Sequence, residues 1–310
     1  MALNNMISMA WRGMDGDERI WGAEWRQAGG PGVWHEPRVL GAGAFNSTHA
    51  PSLAIRKAPG GATGVFIIWK GSGDDQAIYM STPTGEVGFN PRGPSHETFL
   101  TTGRPALTFI DKFAMIAWRA PGNDAVLWSL QNTNFHWSEP QQTGAQSSCG
   151  PAVATLNGTI YMACKALADD QIWWAQFANG SWGLTSPLPV DSGAAMTSDT
   201  PTLVAGEDSL TMVWKGSGSD PTIWWSEFRP GGNWTTPIQL TPSDGAILTS
   251  SGPALATPLG NPEVMWKGSG DQSIWSSSVD GAAWQIPGVI RPDINSADSP
   301  ATVTGDVHVL

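Results

Sequence analysis

Charge is scarce in this chain. Only 14% of its 310 residues are Asp, Glu, Lys or Arg, and no cluster of Lys or Arg occurs anywhere along it. A surface that binds a phosphate backbone or an anionic bilayer needs local positive charge. With a net charge of −11, neither nucleic acid nor an anionic membrane is an expected partner. Apolar runs are short as well, and none approaches the roughly 18 residues of a membrane-inserted helix. The opening stretch MALNNMISMAWRG has neither a basic start nor an apolar core, so no secretory leader is visible. A soluble protein synthesised in the cytoplasm is expected, with release by lysis or a non-classical route left open. Two cysteines, Cys149 and Cys164, cannot build a disulfide framework. The five histidines are scattered, and neither Gly-x-Ser-x-Gly nor His-x-x-x-His occurs. No metal or cofactor is expected.

What the chain does have is glycine (37), proline (24) and tryptophan (18), a mix suited to short strands joined by turns. It also repeats itself. WKGSGDDQAIYMS from Trp69 returns as WKGSGSDPTIWWS from Trp214 and WKGSGDQSIWSS from Trp266. Six copies align on Trp11, Trp69, Trp118, Cys164, Trp214 and Trp266. Each reads as four strands. The first follows a proline, at Pro51, Pro105, Pro151, Pro201, Pro253 and Pro300; the second ends in the anchor and a basic residue. The third follows a Gly/Ser/Asp loop, and the fourth opens on an aromatic: Trp34, Phe89, Trp137, Trp182, Trp234 or Trp284. The pattern predicts an all-β fold, a β-propeller of six four-stranded blades over residues 1–310 as a single domain, with seven blades the alternative. The C-terminal first strand, from Pro300 to Thr304, should pair with the N-terminal strand MISMAWRG and close the ring. Val307 to Leu310 competes for the same place with Asn4 to Ser8, so one tail is expected to be displaced.

Three features recur in all six copies: a basic residue after the anchor, an Asp before the third strand, and an aromatic within that strand. The sets are Arg12, Asp17 and Trp21; Lys70, Asp75 and Tyr79; Arg119, Asp124 and Trp128. They continue as Lys165, Asp169 and Trp173; Lys215, Asp220 and Trp224; Lys267, Asp271 and Trp275. One short loop joins the basic residue to the Asp, so each blade should present the set at one rim, beside the turns that open the first strands. Two readings stay open. In one, the Asp–Lys/Arg pair only closes the hairpin and the aromatic fills the gap between blades. In the other, the set is a sugar site, with carboxylate and cation meeting hydroxyls and the indole packing on a C–H face. Shallow sites of that kind gain through multivalency. The partners would then be glycans or glycoconjugates, and a rigid ring of sites also suits a symmetric homo-oligomer.

A ring of Trp-rich repeats of this length resembles the β-propeller lectins of bacteria and fungi, which bind sugars between adjacent blades. The fucose-specific six-bladed group grips its sugar with an Arg just before the aromatic strand, a Glu and a Trp. Only Arg19-Ile20-Trp21 carries that Arg here; the equivalent places hold Ala77, Val126, Gln171, Thr222 and Ser273. The propeller lectins of bacteria that infect insects are similar in their tandem Trp-bearing blades. SSVDGAAW, Ser277 to Trp284, resembles the Asp-box of sialidases, which in that family is structural. A sialidase would further need an Arg triad and a Tyr nucleophile. Tyr79 and Tyr161, the two tyrosines, both fall in repeat positions inside strands. The chain is therefore expected to bind glycans without catalysis, against a protein-interaction propeller or a divergent glycan hydrolase.

Overall fold

A computed structural model of the chain describes residues 6–14, 16–27, 32–57, 63–82, 85, 88–134, 136–183, 186–190, 193–242, 247–258, 261–280 and 283–305. Six antiparallel sheets follow one another around a ring, as the repeat predicts. Blade 1 joins the two ends of the chain: Ala301–Gly305 pairs with Met6–Arg12, which pairs with Ile20–Arg26. The C-terminal strand thereby completes blade 1 and closes the ring. Met6 to Ser8 sit inside that sheet, whereas Asn4, Asn5 and Val307 to Leu310 lie outside the described residues. So does most of the insertion from Ala58 to Gly64.

The remaining blades repeat the plan. Their second strands are Thr63–Lys70, Phe113–Arg119, Thr159–Lys165, Leu210–Lys215 and Glu263–Lys267. Their third strands are Ile78–Ser81, Ala125–Leu130, Ile172–Ala178, Ile223–Phe228 and Ile274–Asp280. The fourth strand is interrupted in most blades. Its opening aromatic pairs with the end of the third strand, as Trp34 with Trp25 and Trp182 with Phe177. A second short segment then pairs nearer the strand's start, as Val39 with Trp21 and Pro187 with Trp173. In blade 4 the first and last hairpins turn on Asn-Gly, with Asn157-Gly158 and Asn179-Gly180 all at positive φ, which only such small or polar residues adopt cheaply.

The core divides into six apolar clusters, one for each junction between blades. Trp214 on blade 5, for example, packs with Leu156, Tyr161 and Ala163 of blade 4. The anchor tryptophan of each blade faces the preceding blade, and all five are almost completely buried. At about 150–250 Å² per indole and ~25 cal/mol per Å², each contributes roughly 4–6 kcal/mol of transfer free energy. Because a blade packs on both faces, its second strand is apolar throughout instead of alternating. The first strands of adjacent blades lie side by side around a central channel of about 490 Å³.

Candidate functional site

Each of the repeated residues is placed by the hairpin between the second and third strands. The basic residue closes the second strand, opposite the Ile or Val that opens the third: Lys70 faces Ile78 and Lys215 faces Ile223. Its side chain folds into its own loop. Lys70 Nζ donates to the carbonyls of Gly71 (3.1 Å) and Asp75 (3.0 Å) and to Thr48 Oγ1 (3.0 Å). Lys215 Nζ does the same with Gly218 O (3.3 Å) and Ser198 Oγ (2.7 Å), and Lys165 with Asp169 O (3.1 Å) and Ser148 Oγ (2.9 Å). These three lysines are buried, and burial lowers the pKa of Lys70. Lys267, more open, donates to Ser250 Oγ at 2.8 Å.

Among the described residues, the expected pairing of basic residue with repeated Asp holds only on blade 3, where Arg119 Nε meets Asp124 Oδ1 at 2.8 Å. On blades 2, 4 and 5 the ammonium serves main-chain carbonyls, which sequence patterns do not display. Lys165 reaches the Asp170 carboxylate at 3.0 Å and not that of Asp169. Arg12 lacks the hydroxyl partner because Ala297 stands where the other blades have Ser or Thr, and its Nε is buried without a hydrogen bond among the described residues.

The Asp instead works toward the third strand. One carboxylate oxygen accepts the backbone N–H two residues on: Arg19 N (3.0 Å) at Asp17, Ala77 N (2.9 Å) at Asp75, Thr222 N (3.0 Å) at Asp220. Asp169 with Gln171 N and Asp271 with Ser273 N behave alike. On four blades the carboxylate also fixes the polar edge of the aromatic. Trp21 Nε1 donates to Asp17 Oδ2 at 2.9 Å and the Tyr79 hydroxyl to Asp75 Oδ2 at 2.8 Å. Trp224 to Asp220 and Trp275 to Asp271 are longer, at 3.4 Å. Each of these aromatics is half-buried and lies directly across from its blade's anchor, as Trp21 from Trp11. Tyr79 stacks on Trp69 with centroids 5.6 Å apart.

Glycine makes this geometry possible. A Cβ on Gly13, Gly71, Gly216 or Gly268 would lie 2.1–2.6 Å from the side chain of Asp17, Asp75, Asp220 or Asp271, closer than real Cβ atoms come. Those are the four blades with the complete unit. Blades 3 and 4 carry Ala120 and Ala166 at this place. On blade 4 the indole Nε1 of Trp173 is accordingly buried with no partner among the described residues.

Blade 3 departs further. Its loop is one residue shorter than the sequence alignment assumed, so Leu127, not Trp128, stands opposite Trp118. A one-residue slip moves a side chain to the other face of the sheet. Trp128 is thus buried in the junction with blade 4, edge-on to Phe177 at 4.8 Å. The turn oxygen is supplied by Asn123, which accepts Ala125 N at 3.2 Å, leaving Asp124 to its ion pair. Asp124 and Trp128 are not equivalent to their counterparts on the other blades.

On blade 1 the unit carries an addition. Arg19 holds the Asp17 carboxylate through Nε (2.7 Å) and Nη2 (3.0 Å) and lies over the Trp21 ring, 5.3 Å from its centroid. The guanidinium is the main reason the Asp17 pKa falls from 3.8 to about 2. The hydrogen bond of Tyr79 to Asp75, followed by burial, raises the Tyr79 pKa.

A fourth repeated feature escaped the sequence reading, though its signal is plain once sought. Four residues before each first-strand proline stands Ser47, Thr101, Ser147, Thr197, Thr249 or Ser296, all fully buried. Thr249 Oγ1 donates to Ser251 O (2.7 Å) and Lys267 O (3.0 Å), and Ser147 Oγ to Lys165 O (2.6 Å). Their backbone amides bond to the preceding blade, as Thr249 N to Pro221 O. These residues join the rim loops across blades and confirm that the loops opening the first strands share a rim with the hairpins.

No family model matches the chain, and no curated protein sequence matches it. Solved structures similar to it include the fucose-specific lectin from Aleuria aurantia, at a TM-score of 0.55 and 11% identity over 93% of this chain and 96% of that one. TolB from Acinetobacter baumannii gives 0.58 and 15% identity, over 96% of this chain and 66% of that one. A subtype N10 neuraminidase-like protein of A/little yellow-shouldered bat gives 0.52 and 7%, over 77% and 79%. At these identities the likeness is one of propeller fold.

Proposed function

We propose that the chain is a multivalent, non-catalytic carbohydrate-binding protein with four sugar sites, on blades 5, 6, 1 and 2. One observation carries this reading: the Gly–Asp–aromatic unit of these four consecutive blades. In each, a half-buried ring is held at its polar edge by a carboxylate, beside a junction between blades. On blades 5, 6 and 2 that carboxylate retains lone pairs for hydroxyls. On blade 1 Arg19 and Trp21 occupy those of Asp17, and Arg19 brings its guanidinium to the site instead. The ring supplies a flat apolar face and the carboxylate an acceptor. The buried lysines support the hairpin and do not touch the sugar. Blades 3 and 4, with alanine for glycine, carry no site. The likeness in fold to a fucose-specific lectin is consistent with this reading. Against a hydrolase that uses a tyrosine over the central channel, Tyr161 is buried between blades 4 and 5, and Tyr79 lies in the third strand of blade 2 as part of the repeated unit.

Gly216→Ala tests the proposal. Blades 3 and 4 carry alanine at this place and still form, so the fold should tolerate it while the methyl displaces Asp220 from Trp224. For a glycan identified on an array, calorimetry should count four equivalents on the native chain and three on the variant, at unchanged thermal stability. No glycan bound at millimolar concentration, or an unchanged count, would refute the reading. Retention of a protein partner with no glycan would favour the interaction propeller.

A further inference from the structure

The rim loops repeat Ser or Thr four residues before each first-strand proline, yet the two residues just before the proline differ in every blade. They are His49-Ala50, Gly103-Arg104, Cys149-Gly150, Asp199-Thr200, Ser251-Gly252 and Asp298-Ser299. Divergence inside a repeating frame gathers unlike side chains at one mouth of the channel. Arg104, Thr102, Asp199, Asp298, His49 and Cys149 border a cavity there of about 160 Å³.

Arg104 also borders the central channel. Its Nε donates to Ser52 Oγ at 2.9 Å, while its two terminal nitrogens have no partner among the described residues. The Thr102 hydroxyl is buried and likewise without a partner, because Arg119 turns to Asp124 instead. The carboxylates are positioned by backbone amides across blades. Asp199 accepts Thr200 N (2.6 Å) and Gly252 N (2.7 Å); Asp298 accepts Ser299 N (2.7 Å) and Ala50 N (3.0 Å). Each carboxylate oxygen keeps a lone pair for a further donor. Burial lowers the pKa of His49, so the imidazole adds no charge at neutral pH.

We propose that this mouth is a single binding site, separate from the Gly–Asp–aromatic units, for a neutral polyhydroxyl ligand about the size of one sugar ring. A free carboxylate would satisfy Arg104 but meet two acidic side chains with nothing to donate. An ammonium group would satisfy the carboxylates but meet the guanidinium. A hydroxyl is donor and acceptor at once, so vicinal hydroxyls accept from the terminal nitrogens of Arg104 and donate to Asp199 and Asp298. The Thr102 hydroxyl gains its missing partner.

The site does not depend on the rim units, and the two can fail separately. The full chain is titrated with glucose, galactose, mannose, fucose and glycerol by calorimetry and saturation-transfer NMR, with acetate and glycine as charged comparators. One equivalent of a neutral probe, beyond any taken up by the rim units, should bind, weaken at least tenfold in Arg104→Gln and persist unchanged in Gly216→Ala. Thr102→Val, which removes a hydroxyl with no protein partner, should fold normally and weaken the same equivalent several-fold, which covers a failure of Arg104→Gln to fold. The proposal is overturned if no probe binds, if binding ignores both variants, or if acetate or glycine alone binds in an Arg104-dependent way.

Discussion

At the scale of single residues, the deciding feature is a missing methyl group. Gly13, Gly71, Gly216 and Gly268 leave room for an Asp to sit against the backbone and reach the aromatic edge; alanine removes that room. The carboxylate of Asp17 is the most strongly tuned of the set, and its pKa shift has a defined consequence. Its folded pKa, about 2, lies below the ordinary 3.8. The associated stabilisation is therefore complete above the ordinary value and is lost as pH falls through about 2. An NMR titration should find the Asp17 carboxyl midpoint near 2, with the Trp21 indole proton shifting at the same midpoint. Arg19→Ala should bring that midpoint back toward 3.8; a native midpoint near 4 would disprove the arrangement. Repetition made the Asp and the aromatic legible as a set. The partner of the lysine was not legible, because the acceptors are main-chain carbonyls.

At the scale of the element, the hairpin and the loop that enters the next first strand form one hydrogen-bonded layer. Removing a buried hydroxyl that bonds a carbonyl and an amide of its own loop leaves such groups unsatisfied, at a cost of about 1–3 kcal/mol. Thr249→Val should lose stability in that range in urea denaturation, through the bonds to Ser251 O and Lys267 O. Ser250→Ala, one residue on, touches only the open Lys267 and Gly268 O and should cost about 1 kcal/mol or less. Equal losses would show that the buried layer is not what holds the rim. The strands themselves were readable from Pro, Gly and β-branched residues. Register on blade 3 was not, since an alignment anchored on aromatics matched Trp128 to a place that the shorter loop gives to Leu127.

At the scale of the whole molecule, stability depends on closure. The strand Ala301–Gly305 completes blade 1 and its neighbours in the ring, with Thr302 Oγ1 donating to Leu255 O at 2.8 Å. Removing residues 301–310 should expose an edge along Met6–Arg12 and break both junctions of blade 1. The native chain is expected to melt in one cooperative calorimetric transition. The shortened chain should melt at least 10 °C lower or aggregate on size-exclusion chromatography; an unchanged melting temperature would refute the closing role.

The sequence by itself determined the repeat and the order of strands, and it pointed to a closed ring of six blades with seven the alternative. All of these follow from local patterning and from the need to bury both faces of every sheet. Only the tertiary structure decided which blades carry the complete unit and which residue each lysine serves. It alone gathered Arg104, Asp199 and Asp298, distant in sequence, at one mouth of the channel. Those outcomes depend on steric fits of a few tenths of an ångström and on contacts between blades, which a residue alphabet does not encode.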